Sequence, residues 1–307
     1  MIDSLTNDTP SSYVLSCMRR LFILFIGVLV LGTSGWAQKS PDKYCSICRD
    51  HTHAEGHPYR LDFKREVPFI VTSGVILGAG LLADGLNKTT PFTIEELGDL
   101  KTSDINALDR RYVNNYSPID AKTSDYFRTG VTILPILLLS EHHTKEDITS
   151  LLVMSAEVMA VTFGVTNGVK NLVARTRPNV YNPIVPLSER TNSRSRKSFF
   201  SGHTSHTAAA SFFMAKVISD YHPNMNKGTK IVLWSVSAYI PAITGYLRVK
   251  AGKHFPTDVM AGYAVGAFTG WLIPHLHSVN RKGFMSKADL QVYPSAAGMQ
   301  FSFKVGL

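Results

Sequence analysis

Apolar residues recur along the chain in six long segments that are separated by shorter polar connections. None of these segments alternates apolar and polar positions as a half-buried strand does, and their lengths are typical of helices. The pattern therefore predicts an all-α fold, a helical bundle of about six core helices. The segments are Val67–Ala83, Thr129–Leu139, Ile148–Val169, Thr204–Ile218, Ile231–Leu247 and Val259–Leu276.

Two stretches outside these segments carry structural signals of their own. A further short helix is expected near Ile105–Tyr112, inside the longest polar connection. Near the C-terminus, apolar side chains alternate with polar or small ones from Met299 to Leu307, after a Pro-Ser-Ala-Ala-Gly turn. This change of period predicts a small β-hairpin.

Several features of the bundle favour association with a membrane. The last apolar segment carries Gly262, Gly266 and Gly270 at four-residue spacing, as small-residue interfaces between membrane helices do. The apolar lengths of the segments that begin near residues 148, 231 and 259 also favour a membrane. Thr129–Leu139 is shorter than the about 20 residues that a membrane-spanning helix needs. An integral membrane protein is therefore favoured, and a peripheral or soluble bundle is the alternative.

The N-terminus has the features of a secretory leader. Met18-Arg19-Arg20 is a positive region, residues 21–32 are apolar, and small residues at Gly35 and Ala37 suit cleavage. An uncleaved anchor is the alternative, and translation from Met18 is a further expectation. The predicted division of the chain is a leader at 1–37, a Cys/His-containing segment at 38–65, the helical bundle at 66–280 and a C-terminal tail with the hairpin at 281–307.

Cys45 and Cys48 are the cysteines that follow the leader, and three histidines come soon after them. In an exported protein a local disulfide, or a pair of free thiols, is favoured. A zinc site is the alternative, but neither a second cysteine pair nor a regular histidine spacing supports it.

The charge of the chain and two of its predicted helix boundaries indicate an anionic ligand. Lys and Arg outnumber Asp and Glu by 32 to 23, which suits a phosphate, a lipid headgroup or a nucleic acid. Lys170 and Arg177 lie seven residues apart, about two helical turns, on one face of a helix or its immediate extension, and Pro178 is expected to end that helix. Ser201 is a predicted N-cap, so Gly202 and its neighbours offer free backbone N–H groups to an oxyanion.

Two histidines supply candidate chemistry beside these cations. His203 follows Gly202 and can carry a proton to a leaving oxygen. Arg248 precedes His254, and Asp258 follows His254 by four residues. A carboxylate on one ring nitrogen would fix the tautomer of His254 and leave the other nitrogen free to attack phosphorus.

In order along the chain these clusters read K-x6-RP, SGH and R-x5-H-x3-D. This triple motif resembles that of the type 2 phosphatidic acid phosphatase and vanadium haloperoxidase superfamily, whose signature reads KxxxxxxRP, PSGH and SRxxxxxHxxxD. The resemblance covers roughly residues 104–277. Phe200 stands where the family has the proline of PSGH, and Leu247 where it has the serine before the arginine.

The resemblance implies a role for each matching residue. Lys170, Arg177 and Arg248 would bind the phosphate oxygens with Ser201 and the backbone N–H of Gly202. His254 would be the nucleophile that forms a phosphohistidine, His203 would protonate the leaving alcohol and then activate water, and Asp258 would orient His254. Neither a metal nor another cofactor is expected at this site, since three fixed cations can stabilise the transferring phosphoryl group.

The predicted function is hydrolysis of a phosphomonoester or diphosphate. The favoured substrate is a lipid such as phosphatidate, a polyprenyl diphosphate or lipid A. No nucleic acid is expected as a partner. The expected location is the envelope of a bacterial cell, membrane-associated, with the site facing the periplasm. A soluble periplasmic acid phosphatase or a vanadate-dependent haloperoxidase is the alternative within the same fold, and a non-catalytic anion-binding protein is the third.

Overall fold

The computed structural model describes residues 58–59, 61, 63–86, 89–133, 135, 147–279, 288–295 and 298–305. The predicted leader and the Cys45/Cys48 segment lie outside these residues. Ten α-helices are found within the described ranges: Phe63–Leu86 (α1), Ile94–Gly98 (α2), Ala107–Arg110 (α3), Pro118–Ile133 (α4), Ile148–Val173 (α5), Pro178–Tyr181 (α6), Leu187–Arg190 (α7), Gly202–Tyr221 (α8), Lys227–Lys250 (α9) and Pro256–His277 (α10). Six of them are long and form the bundle, which confirms the predicted fold class.

Helix α8 lies at the centre of the bundle and packs against α4, α5, α9 and α10. Its sequence explains this position, because small and apolar side chains cover all of its faces. Ala208, Ala209 and Ala210 are fully buried in succession, and Phe213 and Met214 continue the core towards its C-terminus.

Helix α10 approaches α8 through the predicted glycine face. A Cβ atom added at Gly262 would lie 2.5 Å from the backbone oxygen of the N-cap of α8. At Gly266 and Gly270 it would lie 2.0 and 2.2 Å, respectively, from backbone oxygens of α8 itself. No side chain fits at such distances, so these glycines set the separation of the two helices. This approach brings Asp258, on the first turn of α10, to the N-terminus of α8.

Helix α4 differs from the prediction, which placed its first residue at Thr129. The helix starts at Pro118 and ends at Ile133. Its first eleven residues are mostly polar, so apolar periodicity does not detect them, although proline is common at the first position of a helix. The difference matters because these polar residues face the candidate site.

Among the described residues, three helices are long and apolar enough to cross a membrane, over Glu66–Leu86, Ile148–Tyr181 and Pro256–His277. Helix α1 also exposes large apolar side chains along its length, among them Ile70, Val75 and Leu82. Helix α9, whose apolar length favoured membrane association in the sequence, is not one of the three, and it carries basic residues near both ends.

The predicted C-terminal hairpin is also present. Strands Ala288–Ser295 (β1) and Gly298–Val305 (β2) pair antiparallel, with Ala288 opposite Val305 and Ser295 opposite Gly298.

Candidate active site

The N-terminus of α8 forms the floor of the site. Ser201 is the N-cap, as predicted, and its hydroxyl oxygen accepts hydrogen bonds from the backbone N–H and the hydroxyl of Thr204 at 3.5 and 2.9 Å. The side-chain methyl group of Thr166 would lie 3.3 Å from a Cβ atom on Gly202, and Cε of Lys170 would lie 3.7 Å from it. Glycine therefore keeps the gap between α5 and the first turn of α8 open to a ligand.

Lys170 and Arg177 reach the site from two different elements. Lys170 lies in the last turn of α5, and its Nζ donates to the carbonyl oxygen of Lys197 at 3.1 Å. Helix α5 ends at Val173, and Ala174 follows with a left-handed φ of 47°. Pro178 is the first residue of α6, so it begins a helix and does not end α5 as predicted. Arg177 precedes α6 and is positioned by its own backbone N–H, which donates to the carbonyl oxygen of Ser195 at 2.9 Å.

Arg248 enters the site from the last turn of α9 and is almost fully buried. Its Nη1 donates to the hydroxyl of Ser124 at 3.1 Å and lies 3.4 Å from Oδ1 of Asp125. Burial, with the positive charge of Arg177 as the next cause, lowers the pKa of the Arg248 guanidinium to about 9. Within the described part of the chain, Nε of Arg177 and Nε of Arg248 are buried without a hydrogen-bond partner. Cations crowded in this way favour a bound anion.

His254 is 1% exposed and lies beneath these cations. Burial, followed by the positive charges of Lys170 and Arg177, lowers its pKa well below the usual value. The imidazole is therefore neutral at pH 7, as a nitrogen nucleophile must be.

Asp258 lies near His254 but does not hydrogen-bond to it. Oδ2 of Asp258 is 3.7 Å from Nδ1 of His254, which is longer than a hydrogen bond. The same oxygen accepts from the hydroxyl of Ser198 at 2.6 Å and from the backbone N–H of Phe255 at 2.9 Å. The expected proximity is therefore present, while the direct bond that would fix the tautomer is not.

Arg175 is a part of the site that sequence reasoning missed. Its Nη1 donates to Oδ1 of Asp258 at 2.5 Å and its Nη2 to Oδ2 of Asp109 at 2.7 Å. Asp109 also accepts from the backbone N–H and the hydroxyl of Thr257, at 3.2 and 2.6 Å. Arg175 lies between the matched lysine and arginine of K-x6-RP, and that position is the signal that could have marked it.

His203 lies on the first turn of α8 and faces α4. Its Nε2 is 2.5 Å from Oδ1 of Asp125, the carboxylate that also lies near Arg248. Burial lowers the pKa of His203 to about 3, although the hydrogen bond to Asp125 acts in the opposite direction. The sequence did not indicate Asp125 either, because the predicted segment for α4 began at Thr129, after this residue.

The remaining polar residues nearby have structural contacts. Nδ1 of His206 lies 2.5 Å from the carbonyl oxygen of Gly202, and its ring packs on Phe163, so this histidine has a packing role. The basic loop between Pro178 and Ser201 is held by ion pairs, with Arg196 on Glu96 and Lys197 on Asp84. These pairs neutralise two of the four basic side chains of the loop, which are Arg190, Arg194, Arg196 and Lys197.

The chain is similar in sequence to known phosphatases. The family model of the PAP2 superfamily matches residues 151–282. The lipid A 4'-phosphatase of Bacteroides thetaiotaomicron is 30% identical over 169 residues, which are 53% of this chain and 69% of that protein. The phosphatidylglycerophosphatase B of Bacillus subtilis is 30% identical over 104 residues, 34% of this chain and 47% of that protein.

The chain is also similar to a crystal structure, that of the transmembrane PAP2-type phosphatidylglycerolphosphate phosphatase from Bacillus subtilis. The TM-score is 0.41 at 20% sequence identity, and the match covers 68% of this chain and 94% of that protein. The match to the family model contains all eight predicted site residues, from Lys170 to Asp258. Helices of membrane-spanning length occur in the same region, and the chain is membrane-associated. The chain belongs to the PAP2 superfamily.

Proposed function

We propose that this protein hydrolyses a lipid phosphate by transferring the phosphoryl group to His254 and then to water. The observation that carries the proposal is the environment of His254, which is 1% exposed and lies within electrostatic range of Lys170, Arg177, Arg248 and His203. A neutral imidazole beneath three cations can attack a phosphate whose oxygens those cations hold.

The first chemical step forms a bond between a ring nitrogen of His254 and phosphorus and breaks the bond from phosphorus to the leaving oxygen. His203 is protonated in the substrate complex, because the negative charge of the bound phosphate opposes the effect of burial on its pKa. Its proton goes to that oxygen, so the product leaves as a neutral alcohol. In the second step water attacks phosphorus, His203 takes its proton, and the bond to His254 breaks. Inorganic phosphate is released and both histidines return to their starting states.

The cations Lys170, Arg177 and Arg248 would hold the equatorial oxygens during both steps. Ser201 and the backbone N–H of Gly202 add donors at the positive end of α8. Since these groups can balance the charge of the transferring phosphoryl group, neither step needs a metal.

A lipid is the favoured substrate class for two reasons. Two relatives are named for phosphatases of lipid A and phosphatidylglycerophosphate. Helix α1 exposes apolar side chains that suit contact with acyl chains or with the membrane that carries the substrate. The candidates are the phosphates of lipid A, phosphatidate and polyprenyl diphosphate. The predicted leader supports export, and we infer that the site faces the periplasm.

The test is phosphate release by the purified full chain in detergent with EDTA, from p-nitrophenyl phosphate and from each candidate lipid. We expect turnover in EDTA, with one lipid preferred, and a loss of more than 1,000-fold in His254→Ala. Retained turnover in that variant would refute the histidine nucleophile. Phosphate or vanadate binding without any turnover would move the assignment to an anion-binding protein or a haloperoxidase.

A further inference from the structure

A second cluster of ionisable side chains is buried at the other end of the bundle. Glu66 of α1, Glu157 of α5 and His277 of α10 each place one ligand atom within 4.8 Å of the other two. Nε2 of His277 lies 2.9 Å from Oε2 of Glu66 and 3.3 Å from Oε2 of Glu157. Their side chains are 10%, 5% and 1% exposed, in chain order.

This cluster is separate from the phosphate site. Asp258 and His277 lie 19 residues apart on the same helix, or about 28 Å at 1.5 Å per residue. Glu157 lies 13 residues before Lys170 on α5, or about 20 Å. His277 is the last residue of α10, but it is buried, and its carboxylate partner Glu66 lies 211 residues away in the chain.

The cluster has more negative charge than the protein balances. Within the described residues, His277 is the basic side chain found within ion-pairing distance of either glutamate. Two carboxylates beside one imidazole leave the site negative whether or not the ring is protonated, unless a carboxylate is itself protonated. A buried carboxylate without a balancing cation is costly, and one divalent cation would balance both.

Glu157 carries the second observation. Both of its carboxylate oxygens are buried, and neither has a hydrogen-bond partner in the described part of the chain. Buried polar atoms are almost always satisfied, so two unsatisfied oxygens on one carboxylate indicate a missing partner. Oε2 of Glu157 points at the same nitrogen of His277 that faces Glu66.

The orientation of His277 agrees with a metal ligand. Nδ1 lies 2.8 Å from the carbonyl oxygen of Ile273. A carbonyl can only accept, so Nδ1 carries a proton, and Nε2 is the ring nitrogen that is left to bind a cation beside the two carboxylates. Histidines that bind metals usually donate their other N–H to a carbonyl or carboxylate in this way. A cation between Nε2 of His277 and the two carboxylates would hold these three ligand atoms together.

We propose that Glu66, Glu157 and His277 bind one divalent transition-metal ion that joins α1, α5 and α10. Imidazole with carboxylate is a ligand set for zinc, iron or manganese, and not for calcium. Adjacent ligands of tetrahedral zinc are about 3.3 Å apart, close to the 2.9 and 3.3 Å between Nε2 of His277 and the two carboxylates. The ion is structural and takes no part in phosphoryl transfer.

The test measures metal content and unfolding temperature, so it does not depend on the proposed activity. The full chain is purified in detergent without chelators, and bound metals are quantified by mass spectrometry. We expect about one equivalent of a divalent transition metal per chain. After stripping, added Zn²⁺ should raise the unfolding temperature by several degrees, because a ligand of the folded state stabilises it. Glu157→Gln and His277→Gln should lose at least nine-tenths of the metal and of this shift.

The matched control is Glu95→Gln, the same change at an exposed position of α2, which should keep both the metal and the shift. Metal retained in Glu157→Gln and His277→Gln would place it elsewhere and overturn the proposal. It would also be overturned if the native chain contained no metal and gained no stability from Zn²⁺, Mn²⁺ or Fe²⁺. Should the variants not fold, the native chain alone decides the matter by its metal content and by its response to Zn²⁺.

Discussion

Arg175 donates to Asp258 at 2.5 Å, and this ion pair connects the end of α5 to the first turn of α10. The second amino group of Arg175 binds Asp109, so one guanidinium forms ion pairs with two carboxylates that are both fully buried. Asp258 in turn lies beside His254. Arg175 therefore determines both the position of Asp258 and the balance of charge behind the nucleophile.

Replacement of Arg175 should damage stability and activity together. In Arg175→Gln, two buried carboxylates lose their cation, which should lower the free energy of unfolding by about 3 kcal/mol. Asp258 should then shift, and turnover should fall by at least 10-fold. Chemical denaturation in detergent and phosphate release measure the two effects.

Arg111→Gln is the control, because Arg111 is exposed at the end of α3. It should change the free energy of unfolding by less than about 0.5 kcal/mol. Native-like stability of Arg175→Gln would show that the two aspartates do not depend on this guanidinium.

The glycine face of α10 allows a second prediction. A Cβ atom on Gly266 would lie 2.0 Å from the carbonyl oxygen of Ser205, so Gly266→Ala must separate α8 from α10. Overpacking of this kind should lower the free energy of unfolding by about 1–3 kcal/mol. Since both helix N-termini belong to the site, turnover should fall as well.

Gly168→Ala is its matched control. Gly168 is also inside a long helix, but an added Cβ there would meet no described atom within 4 Å. Alanine is the better helix former by about 1 kcal/mol, so this variant should be as stable as the native chain or more so. Equal destabilisation of the two variants would mean that the contact with Ser205 is not what requires glycine.

The sequence was sufficient to predict the bundle and the residues gathered at the site. The motif residues lie at helix ends, where caps such as Ser201 are readable, and their order along the chain is specific. The glycine spacing on α10 likewise predicted a close approach, because a four-residue repeat places small residues on one helix face.

The partners of these residues could not be predicted, since they come from distant parts of the chain. Asp109 and Arg175 are 66 residues apart, and Ser124 and Arg248 are 124 apart. Asp125 lies on the polar half of α4, where apolar periodicity gives no signal. The role of His277 depends on Glu66 and Glu157, which only the packing of three helices brings together.

The buried histidines predict how stability depends on pH. The folded-state pKa of His254 is well below 6.5 and that of His203 is about 3, while an unfolded chain binds these protons near pH 6.5. Below pH 6.5 the unfolded state therefore binds more protons, and the free energy of unfolding should fall as pH falls. The slope is about 1.4 kcal/mol per pH unit for each such histidine.

His254→Asn removes one of these titrations. Between pH 6 and pH 4.5, its free energy of unfolding should decline less steeply than that of the native chain, by about 1.4 kcal/mol per pH unit. Denaturant titrations at four or five pH values in this range measure both slopes. Identical slopes would mean that burial beside the three cations does not lower the pKa of His254.

Asp125 provides the last prediction, which separates the general acid from the nucleophile. Its carboxylate hydrogen-bonds to His203 and raises the pKa of that imidazole, against the larger effect of burial. Asp125→Asn removes the negative charge and makes the imidazolium harder to form. An alkyl phosphate needs a proton on its leaving oxygen, so its turnover should fall by about 10- to 100-fold. The leaving group of p-nitrophenyl phosphate needs little protonation, and its turnover should fall by less than about 3-fold. Because the carboxylate also lies 3.4 Å from Arg248, its loss should tighten inhibition by inorganic phosphate.

The control is Asp120→Asn, on the same helix but paired with Lys250, which should leave the ratio of turnover on the two substrates unchanged. An equal loss on both substrates in Asp125→Asn would assign this carboxylate to the architecture of the site and not to the proton of His203.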